Sequence, residues 1–285
     1  MAIKSSLMKH IGGQAVIEGV MMKSSKKVAV SVRKKSKITT KIMKYKPISN
    51  KYTVLKAPII RGVVNLFEML VLGTKALAWS ANEQSGEDDP ITKKEMGITF
   101  FISFAATILI FIIAPYYLTK LFITKTNFLF NLIDGIFRII IFFLYLVLIG
   151  LMADMKMIFR YHGAEHKAVN CYEAGVKLTP KNAKKYPKEH IRCGTSLLVI
   201  VIVVSILLFS LIKDPRWYVN IPLRILFIPL IAGIGYELTK FASKHSKNAL
   251  MKIITKPGIW TQKLTTKEPT LKQLEVAIKA LNTVK

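Results

Sequence analysis

The stretch GIFRIIIFFLYLVLIGLMA, residues 135–153, decides the fold of this chain. Arg138 is its one charged residue, and as an α-helix the stretch would be about 28 Å long. That length crosses the hydrocarbon core of a bilayer, where a helix satisfies its own backbone hydrogen bonds and lipid offers none. We therefore predict that residues 135–153 form a transmembrane helix.

Three further segments, residues 97–117, 195–212 and 221–238, have the same apolar character and similar lengths. Hydrophobic residues make up 52% of the 285, and the mean hydropathy is +0.37. A soluble domain of this size is less apolar than that. The sequence predicts an α-helical integral membrane protein whose four transmembrane helices form a membrane domain over residues 97–238.

The basic residues are distributed unevenly around these four segments. Of the 43 Lys and Arg, 37 lie in residues 1–95, 154–194 and 239–285, whereas four lie in residues 118–134 and 213–220. Basic residues accumulate on the cytosolic side of a membrane protein. We therefore expect a multi-pass protein of the cell membrane with both termini and the 154–194 loop in the cytosol.

The formal net charge of +27 also bears on partners. Basic residues beside membrane spans attract anionic lipids, so membrane lipids are the expected partners. Nucleic acid is not expected, because aromatic residues do not interleave the basic run and no nucleic-acid-binding motif is present.

The basic segment before the spans, residues 1–57, is predicted to be a small β-rich cytosolic piece. Alternating apolar residues favour strands at QAVIEGVMM, residues 14–22, and at VAVSVR, residues 28–33, with KSSKK between them as a hairpin loop. The stretch KYTVLK, residues 51–56, is interpreted as a third strand.

Two segments outside the spans are predicted to be amphipathic. Residues 58–80, which Pro58 opens, are interpreted as an amphipathic helix in the membrane interface. A fifth span there would place the basic residues of 1–57 on the wrong side. Residues 239–285 are interpreted as a polar, soluble cytosolic tail with a helix after Pro269, whose packing face is Leu271, Leu274, Ile278 and Leu281.

The chemical signal of the chain lies in YHGAEHKAVNCYEAG, residues 161–175. On a helix, His162 and His166 project from one face one turn apart, which lets two imidazoles bind one divalent ion. Glu165 completes the order His-x-x-Glu-His of inverted zinc peptidases, in which the glutamate is the general base that activates the attacking water. A structural disulfide is not expected, because both cysteines of the chain lie on the cytosolic side.

A catalytic metal site needs a third protein ligand. His190 and Cys193 come just before the third span and would return to the same membrane face as the motif. The histidine and cysteine ligands favour zinc among divalent metals. Less favoured ligands are Cys171, Glu173, Glu237 and Glu18.

Four ionisable residues in or beside apolar segments have open roles, and His10 and His245 are given none. Glu237 is either a functional group at membrane depth or the partner of Lys240. Glu18 either reaches the metal site or pairs with a buried arginine. Arg138 and Arg224 are expected to snorkel to the outer interface.

Five stretches together resemble the YqhQ-like bacterial membrane proteins: GGQAVIEGVMM, RGVVNLFEMLVLGTKAL, YHGAEHKAVNCYEAG, HIRCGTS and PGIWTQKLTTKEP. The resemblance extends over almost the whole chain. The resemblance implies a domain of unknown function that is described as a predicted metal-dependent enzyme, and it implies no substrate.

Two functions follow as hypotheses. In the first, the protein is a metal-dependent hydrolase at the cytosolic face, with a peptide, membrane-protein or lipid-linked substrate. In the second, it is a non-enzymatic membrane assembly or quality-control factor with a structural metal or none. Transport ranks third, because the spans lack paired discontinuous helices.

Overall fold

The computed structural model describes residues 11–85, 92–245 and 248–285, so His10 lies outside the described residues. The chain is mostly helical and carries one sheet near its N-terminus. The strands are β1 (Gly12–Val16), β2 (Gly19–Lys23), β3 (Lys27–Lys34) and β4 (Lys37–Lys44). The helices are α1 (Ile60–Ser85), α2 (Lys93–Ile108), α3 (Ala114–Lys120), α4 (Phe128–Leu151), α5 (Ala153–Glu173), α6 (Pro180–Ala183), α7 (Gly194–Phe209), α8 (Trp217–Lys244), α9 (Ala249–Thr265) and α10 (Leu271–Val284).

The sheet is antiparallel with strand order β1-β2-β3-β4. The segment VAVSVR lies in β3 as predicted, and both faces of that strand are buried. Val28, Val30 and Val32 face α1, whereas Ala29 faces the core that α5 and α10 share. Alternate residues of β3 therefore pack against two different partners, and the strand does not have one buried and one solvated face.

Two predictions about the sheet were wrong. QAVIEGVMM is a hairpin of β1 and β2 rather than one strand, and Glu18 adopts a positive φ of 50° in its tight turn. KYTVLK ends in a 3₁₀-helix, Thr53–Lys56, and the additional strand is β4. The β4 sequence KITTKIMK is rich in lysine and threonine, so its composition does not predict a strand. It forms one because it pairs with β3.

Four described helices are long and apolar enough to cross a membrane: Ile60–Ser85, Lys94–Lys120, Phe128–Leu151 and Trp217–Lys244. Three of them overlap predicted spans, and the second is interrupted by a π-turn at Leu109–Ile113. The predicted span 195–212 forms the shorter α7, whereas α1, interpreted as interfacial, meets the length and composition of a span. Crossing of the membrane by each helix stays a prediction.

Helix α1 contacts the N-terminal segment along most of its length. Its buried Glu68 accepts hydrogen bonds from the Tyr45 hydroxyl and the Ile48 backbone N–H. Farther along, Ser80 accepts from the Ile17 N–H at 3.2 Å, and the Gln84 amide donates to the Arg33 carbonyl at 3.0 Å. These contacts support the interfacial interpretation, since the far end of a helix that crossed the bilayer would lie on the opposite side of the membrane from the sheet.

The prediction that Arg138 and Arg224 snorkel was wrong. Both are buried, at 4% and 0% exposure, and both donate to the Oδ2 atom of buried Asp134, at 2.6 and 2.8 Å. The remaining bonds of the two guanidinium groups go to Phe111, Ser205, Asn220 and Asn131. The arginines point inward because α4, α7 and α8 offer them a carboxylate and polar acceptors, which lipid does not.

The tail also differs from its prediction. Residues 249–265 form the helix α9, which packs on α7, and the interpretation of this stretch as a soluble tail did not anticipate it. Helix α10 forms as predicted, with a capping box of Thr270 and Gln273, and Leu274, Ile278 and Leu281 are buried. Leu271 is 40% exposed and does not belong to the packing face, because it lies in the first turn.

Candidate metal centre

Helix α5 carries the predicted motif. It does not continue α4, because the chain turns at Met152, whose ψ of 137° is extended. One face of α5, with Tyr161, Ala164 and Ala168, packs into the core formed with the sheet and α10. The change of direction at Met152 thus separates α5 from the apolar helix before it and places the motif beside α7 and α9.

Two backbone carbonyls fix the imidazoles of the motif. The Nδ1 atom of His162 lies 2.8 Å from the Thr265 carbonyl oxygen, and Nδ1 of His166 lies 2.6 Å from that of Lys188. A carbonyl oxygen only accepts, so each Nδ1 carries the hydrogen and each Nε2 keeps its lone pair. Histidines that bind metals are commonly held in this way by a partner of their other nitrogen.

Cys193 completes a cluster with these two histidines. It is the N-cap residue of α7, and its Sγ atom lies 3.2 Å from Nε2 of His162. One ligand atom from each of His162, His166 and Cys193 lies within 4.8 Å of the other two. Two imidazoles and one thiolate are a donor set of catalytic zinc sites, so the residues present fit a divalent ion such as zinc.

The protonation of Cys193 favours a metal ligand over an activated nucleophile. Burial raises the pKa of its thiol to about 11, although the Thr195 hydroxyl and nearby backbone N–H groups oppose the rise. A nucleophilic cysteine has a depressed pKa, whereas a metal ion itself deprotonates a thiol that coordinates it. At 3.2 Å the protonated thiol donates a hydrogen bond to His162 Nε2, and the two atoms are close enough to bind one ion once the thiol is deprotonated.

Glu165 lies on the same helix between the two histidines and is 6% exposed. Its side chain contacts Gly13 of β1, where a Cβ atom would lie 3.0 Å from the Glu165 Cγ. Burial raises the pKa of the Glu165 carboxyl to about 7, and His162 and the Gly13 backbone oppose this rise. The sheet thus closes one side of the site over a carboxyl group that has lost most of its contact with water.

Helix α9 and the loop before α7 hold Cys193 in place. Buried Gln262 accepts from the His190 backbone N–H at 2.8 Å and donates to the His190 carbonyl at 2.9 Å and to Ser196 Oγ at 2.8 Å. Buried Lys167 donates to the Lys184 and Tyr186 carbonyls and so orders the segment that leads to Lys188. These contacts fix both ends of the 184–193 segment around the cluster.

His190 and Glu173, predicted as ligands, lie beside the cluster rather than in it. The His190 ring centroid is 5.8 Å from that of His166, and its Nε2 atom is 3.3 Å from a Glu173 carboxylate oxygen. Glu173 also forms an ion pair with Arg192. Burial lowers the pKa of His190 to about 4, so its imidazole is neutral near pH 7.

The other less favoured ligands are farther away in the fold. Cys171 is a buried, free cysteine of the apolar core. Glu18 accepts a hydrogen bond from the Tyr161 hydroxyl at 3.1 Å, so neither of its predicted roles is seen. Glu237 forms an ion pair with Arg61 of α1 instead of the predicted pair with Lys240.

Sequence reasoning missed Gln262, Thr265 and Lys188. Thr265 and Lys188 act through backbone carbonyls, which no residue type signals. Gln262 belongs to the stretch PGIWTQKLTTKEP, so the signal was present but lay in a segment interpreted as a soluble tail.

Two surface cavities among the described residues lie away from the cluster. One, of about 270 Å³, lies between the sheet and α1, and the other, of about 410 Å³, lies beside α3. None of their lining residues belongs to the cluster. Among the three residues of the cluster, His162 is partly exposed, whereas His166 and Cys193 are buried.

Comparisons with known proteins agree with the resemblance. A family model described as a protein of unknown function (DUF1385) matches residues 57–285. A Bacillus subtilis (strain 168) protein recorded as uncharacterized protein YqhQ is 31% identical over 295 residues, which cover 95% of this chain and 91% of the relative. No solved structure matches the chain.

Proposed function

Because the chain belongs to the DUF1385 family, whose function is unknown, its relatives supply no reaction, and we propose its function from the site alone. The protein is a metal-binding membrane protein whose cytosolic face holds a divalent ion, zinc, at His162, His166 and Cys193. It acts as a hydrolase on a peptide or lipid-linked substrate close to the membrane.

The observation that carries the proposal is the convergence of three tethered ligand atoms. Each imidazole donates its Nδ1–H to a backbone carbonyl, and His162 Nε2 lies 3.2 Å from Cys193 Sγ. One ligand atom from each of His162, His166 and Cys193 lies within 4.8 Å of the other two. Three protein ligands with one further position left open are the arrangement of catalytic zinc sites, whereas structural sites have four.

Glu165 is the proposed general base. When bound, the metal would supply Lewis-acid chemistry that polarises the scissile carbonyl or phosphoryl group and the attacking water. Glu165 takes the proton of that water at its carboxylate and later gives it to the leaving group. Its burial against Gly13 keeps the carboxylate away from bulk water, and the sheet holds it at the side of the cluster.

The position of the cluster supports a substrate at the membrane. Cys193 precedes α7, and Thr265 ends α9, which packs on α7. The three segments predicted to share the cytosolic side, residues 11–57, 154–194 and 248–285, pack together around α5. A group presented at the inner surface of the membrane would meet the exposed edge of His162.

Metal content tests the site. The full chain, purified in detergent without a metal-binding tag, is analysed by mass spectrometry beside His162→Ala/His166→Ala. We expect about one zinc ion per wild-type chain and none in the double variant. The matched control is His245→Ala, because His245 is an exposed histidine outside the cluster. Equal and negligible zinc in the wild type and the double variant would overturn the proposal.

Catalysis is tested with cobalt in place of zinc. An open coordination position should respond to azide or a hydroxamate with a change in the visible cobalt spectrum. Glu165→Gln should retain the metal and this response but lose the ability of the gene to complement its own deletion. A variant that retains both complementation and metal would remove Glu165 from the mechanism.

A structural metal site is the second candidate, and the origin of the residues around the cluster favours it. Its ligands and tethers come from α5, α7, α9 and the loop before α7, so a metal there would join the sheet-bearing part to the apolar helices. A non-enzymatic assembly factor of this kind would show a cobalt spectrum that azide does not change, and a stable partner after crosslinking.

A further inference from the structure

Helix α9 buries its polar side. The residues that pack against the rest of the protein are Thr255, Gly258, Thr261, Gln262 and Thr265. They recur every three or four residues and therefore share one face. None of them carries a large apolar side chain, whereas the contact face of a helix in a soluble protein is its apolar one.

The opposite side of α9 exposes apolar residues. Ile253 is 66% exposed and Trp260 is 55% exposed, and Pro257 lies between them on the same stripe. Lys252, Lys256 and Lys263 follow one edge of this stripe at intervals of four and seven residues, and the Lys256 ammonium lies 5.3 Å from the Trp260 ring centroid. An exposed apolar stripe with tryptophan and a row of lysines is the composition of helices that lie in the interface of an anionic membrane.

The location of α9 agrees with this composition. Helix α8 ends at Lys244 and α9 begins at Ala249, so the chain has few residues in which to leave the membrane. Gly258 lies against Ser196 in the first turn of α7, where a Cβ atom would not fit. Helix α9 therefore contacts the first turn of α7 and follows closely on α8, at the ends of these helices that we assign to the cytosolic surface.

The buried face of α9 carries the supports of the metal centre. The Thr265 carbonyl accepts from His162 Nδ1, and Gln262 binds the His190 peptide group and Ser196 on either side of Cys193. A change in how α9 lies on the membrane would thus move groups that fix two of the three ligands.

We propose that α9 is a lipid-binding helix. It lies flat on the cytosolic leaflet, inserts Ile253, Pro257 and Trp260, and binds anionic headgroups through Lys252, Lys256 and Lys263. By doing so it holds Thr265 and Gln262 in place, so that anionic lipid strengthens metal binding. The coupling to metal rests on the proposed function, whereas the contact with lipid does not.

The position of Trp260 tests the contact. A full-length Trp79→Phe/Trp217→Phe variant retains Trp260 as its one tryptophan and is reconstituted in nanodiscs that contain phosphatidylglycerol. We expect strong quenching of its fluorescence by lipids brominated near the headgroup and weak quenching by aqueous acrylamide. The reverse order would place the ring in water, and protection from both quenchers would place it under a protein partner or a second copy. Either result overturns the proposal.

The charge requirement is tested with Lys252→Gln/Lys256→Gln/Lys263→Gln. At about one kcal/mol per lysine, these substitutions should weaken the preference of α9 for phosphatidylglycerol over phosphatidylcholine on the order of a hundred-fold. The matched control is Lys272→Gln/Lys279→Gln, because these exposed lysines lie on α10, which packs on the sheet. A control that weakens binding as much as the triple variant would show a non-specific charge effect and overturn the assignment to α9.

Cobalt affinity tests the coupling. We expect the wild-type chain to bind cobalt about five-fold or more tightly in nanodiscs with phosphatidylglycerol than in phosphatidylcholine alone, and the triple variant to show no difference. Equal affinity of the wild type in both lipids would overturn the coupling. Quenching in His162→Ala/His166→Ala separates the two proposals, because lipid contact should persist there even if no metal is ever bound.

Discussion

Gly163 determines how closely the segment after α9 can approach α5. A Cβ atom at this position would overlap the Lys267 carbonyl oxygen, two residues beyond Thr265, whose own carbonyl holds His162. We expect Gly163→Ala to lower the free energy of unfolding by about 1–3 kcal/mol, as overpacking does, and to weaken cobalt binding. Denaturant titration and cobalt titration in detergent measure the two effects.

Gly97→Ala is the matched control for this substitution. Gly97 is also helical, but a Cβ atom there has no neighbour within 4 Å. It should leave cobalt binding unchanged. If both variants bound cobalt as the wild type does, the close packing at Gly163 would have no bearing on the ligands.

The two cysteines should differ in metal chemistry. Both are buried, but Cys193 lies in the cluster and Cys171 lies in the apolar core. Cys193→Ser should abolish the near-ultraviolet charge-transfer band of a thiolate bound to cobalt, because an alcohol is a poorer ligand. Cys171→Ala should retain the band and lose only a small amount of stability. A band that survives Cys193→Ser but not Cys171→Ala would show that Cys171, and not Cys193, is the thiolate ligand.

At the scale of residues, spacing predicted that the two candidate histidine ligands share one face of a helix. His162 and His166 meet because a helix places residues four apart on one face, and this depends on local structure alone. The third ligand was left open between His190 and Cys193. In the structure Gln262 binds the His190 backbone, the His190 ring contacts Glu173, and Cys193 caps α7 beside the two histidines. Contacts between segments that are distant in the sequence leave no periodic pattern from which they could be predicted.

At the scale of elements, the charged cluster among α4, α7 and α8 should be a main source of stability. Two buried arginines, Arg138 and Arg224, share the carboxylate of Asp134. Asp134→Asn would leave both guanidinium groups without a counter-charge, which we expect to cost about 3 kcal/mol or more. Unfolding of the detergent-solubilised protein by dodecyl sulfate measures this cost.

Asp214→Asn is the control for Asp134→Asn. Asp214 also pairs with an arginine, Arg216, but the arginine side chain is 58% exposed. Water can replace its partner, so the unfolding midpoint should hardly move. Similar midpoints for the two variants would mean that the buried cluster contributes no more than a surface ion pair.

Sequence patterns predicted those helices and strands whose sequences show one dominant property, either high hydropathy or regular alternation. The apolar helices and β3 followed from hydropathy and alternation. Strand β4 and helix α9 were missed because their sequences are mixed, and their structures depend on β3 and on α7. The inward arginines were missed for a related reason. Snorkelling describes one helix in lipid, whereas Asp134, Asn131 and Asn220 supply a polar interior that exists only when the helices pack.

At the scale of the whole molecule, the position of α1 decides how many helices cross the membrane. The helix is long and apolar enough to span, yet its Arg61 binds Glu237 near the C-terminal end of α8 and its Gln84 binds the sheet. Both ends of α1 therefore contact parts of the chain that we assign to the cytosolic side. The positive charges of the N-terminal segment give the same orientation.

Single-cysteine labelling in intact cells tests this arrangement. Ser85→Cys lies at the end of α1, and Thr124→Cys lies in the exposed turn between α3 and α4. If α1 lies on the cytosolic surface, a membrane-impermeant maleimide should label Thr124→Cys in intact cells and Ser85→Cys only after permeabilisation. The native cysteines give little background because both are buried.

A third position, residue 34, decides whether α1 crosses the membrane. Residues 85 and 124 lie on opposite sides in either arrangement, because α2 and α3 separate them, whereas residues 34 and 85 lie before α1 and at its end. Lys34→Cys should share the protection of Ser85→Cys in an interfacial arrangement, and labelling of just one of these two in intact cells would show that α1 spans.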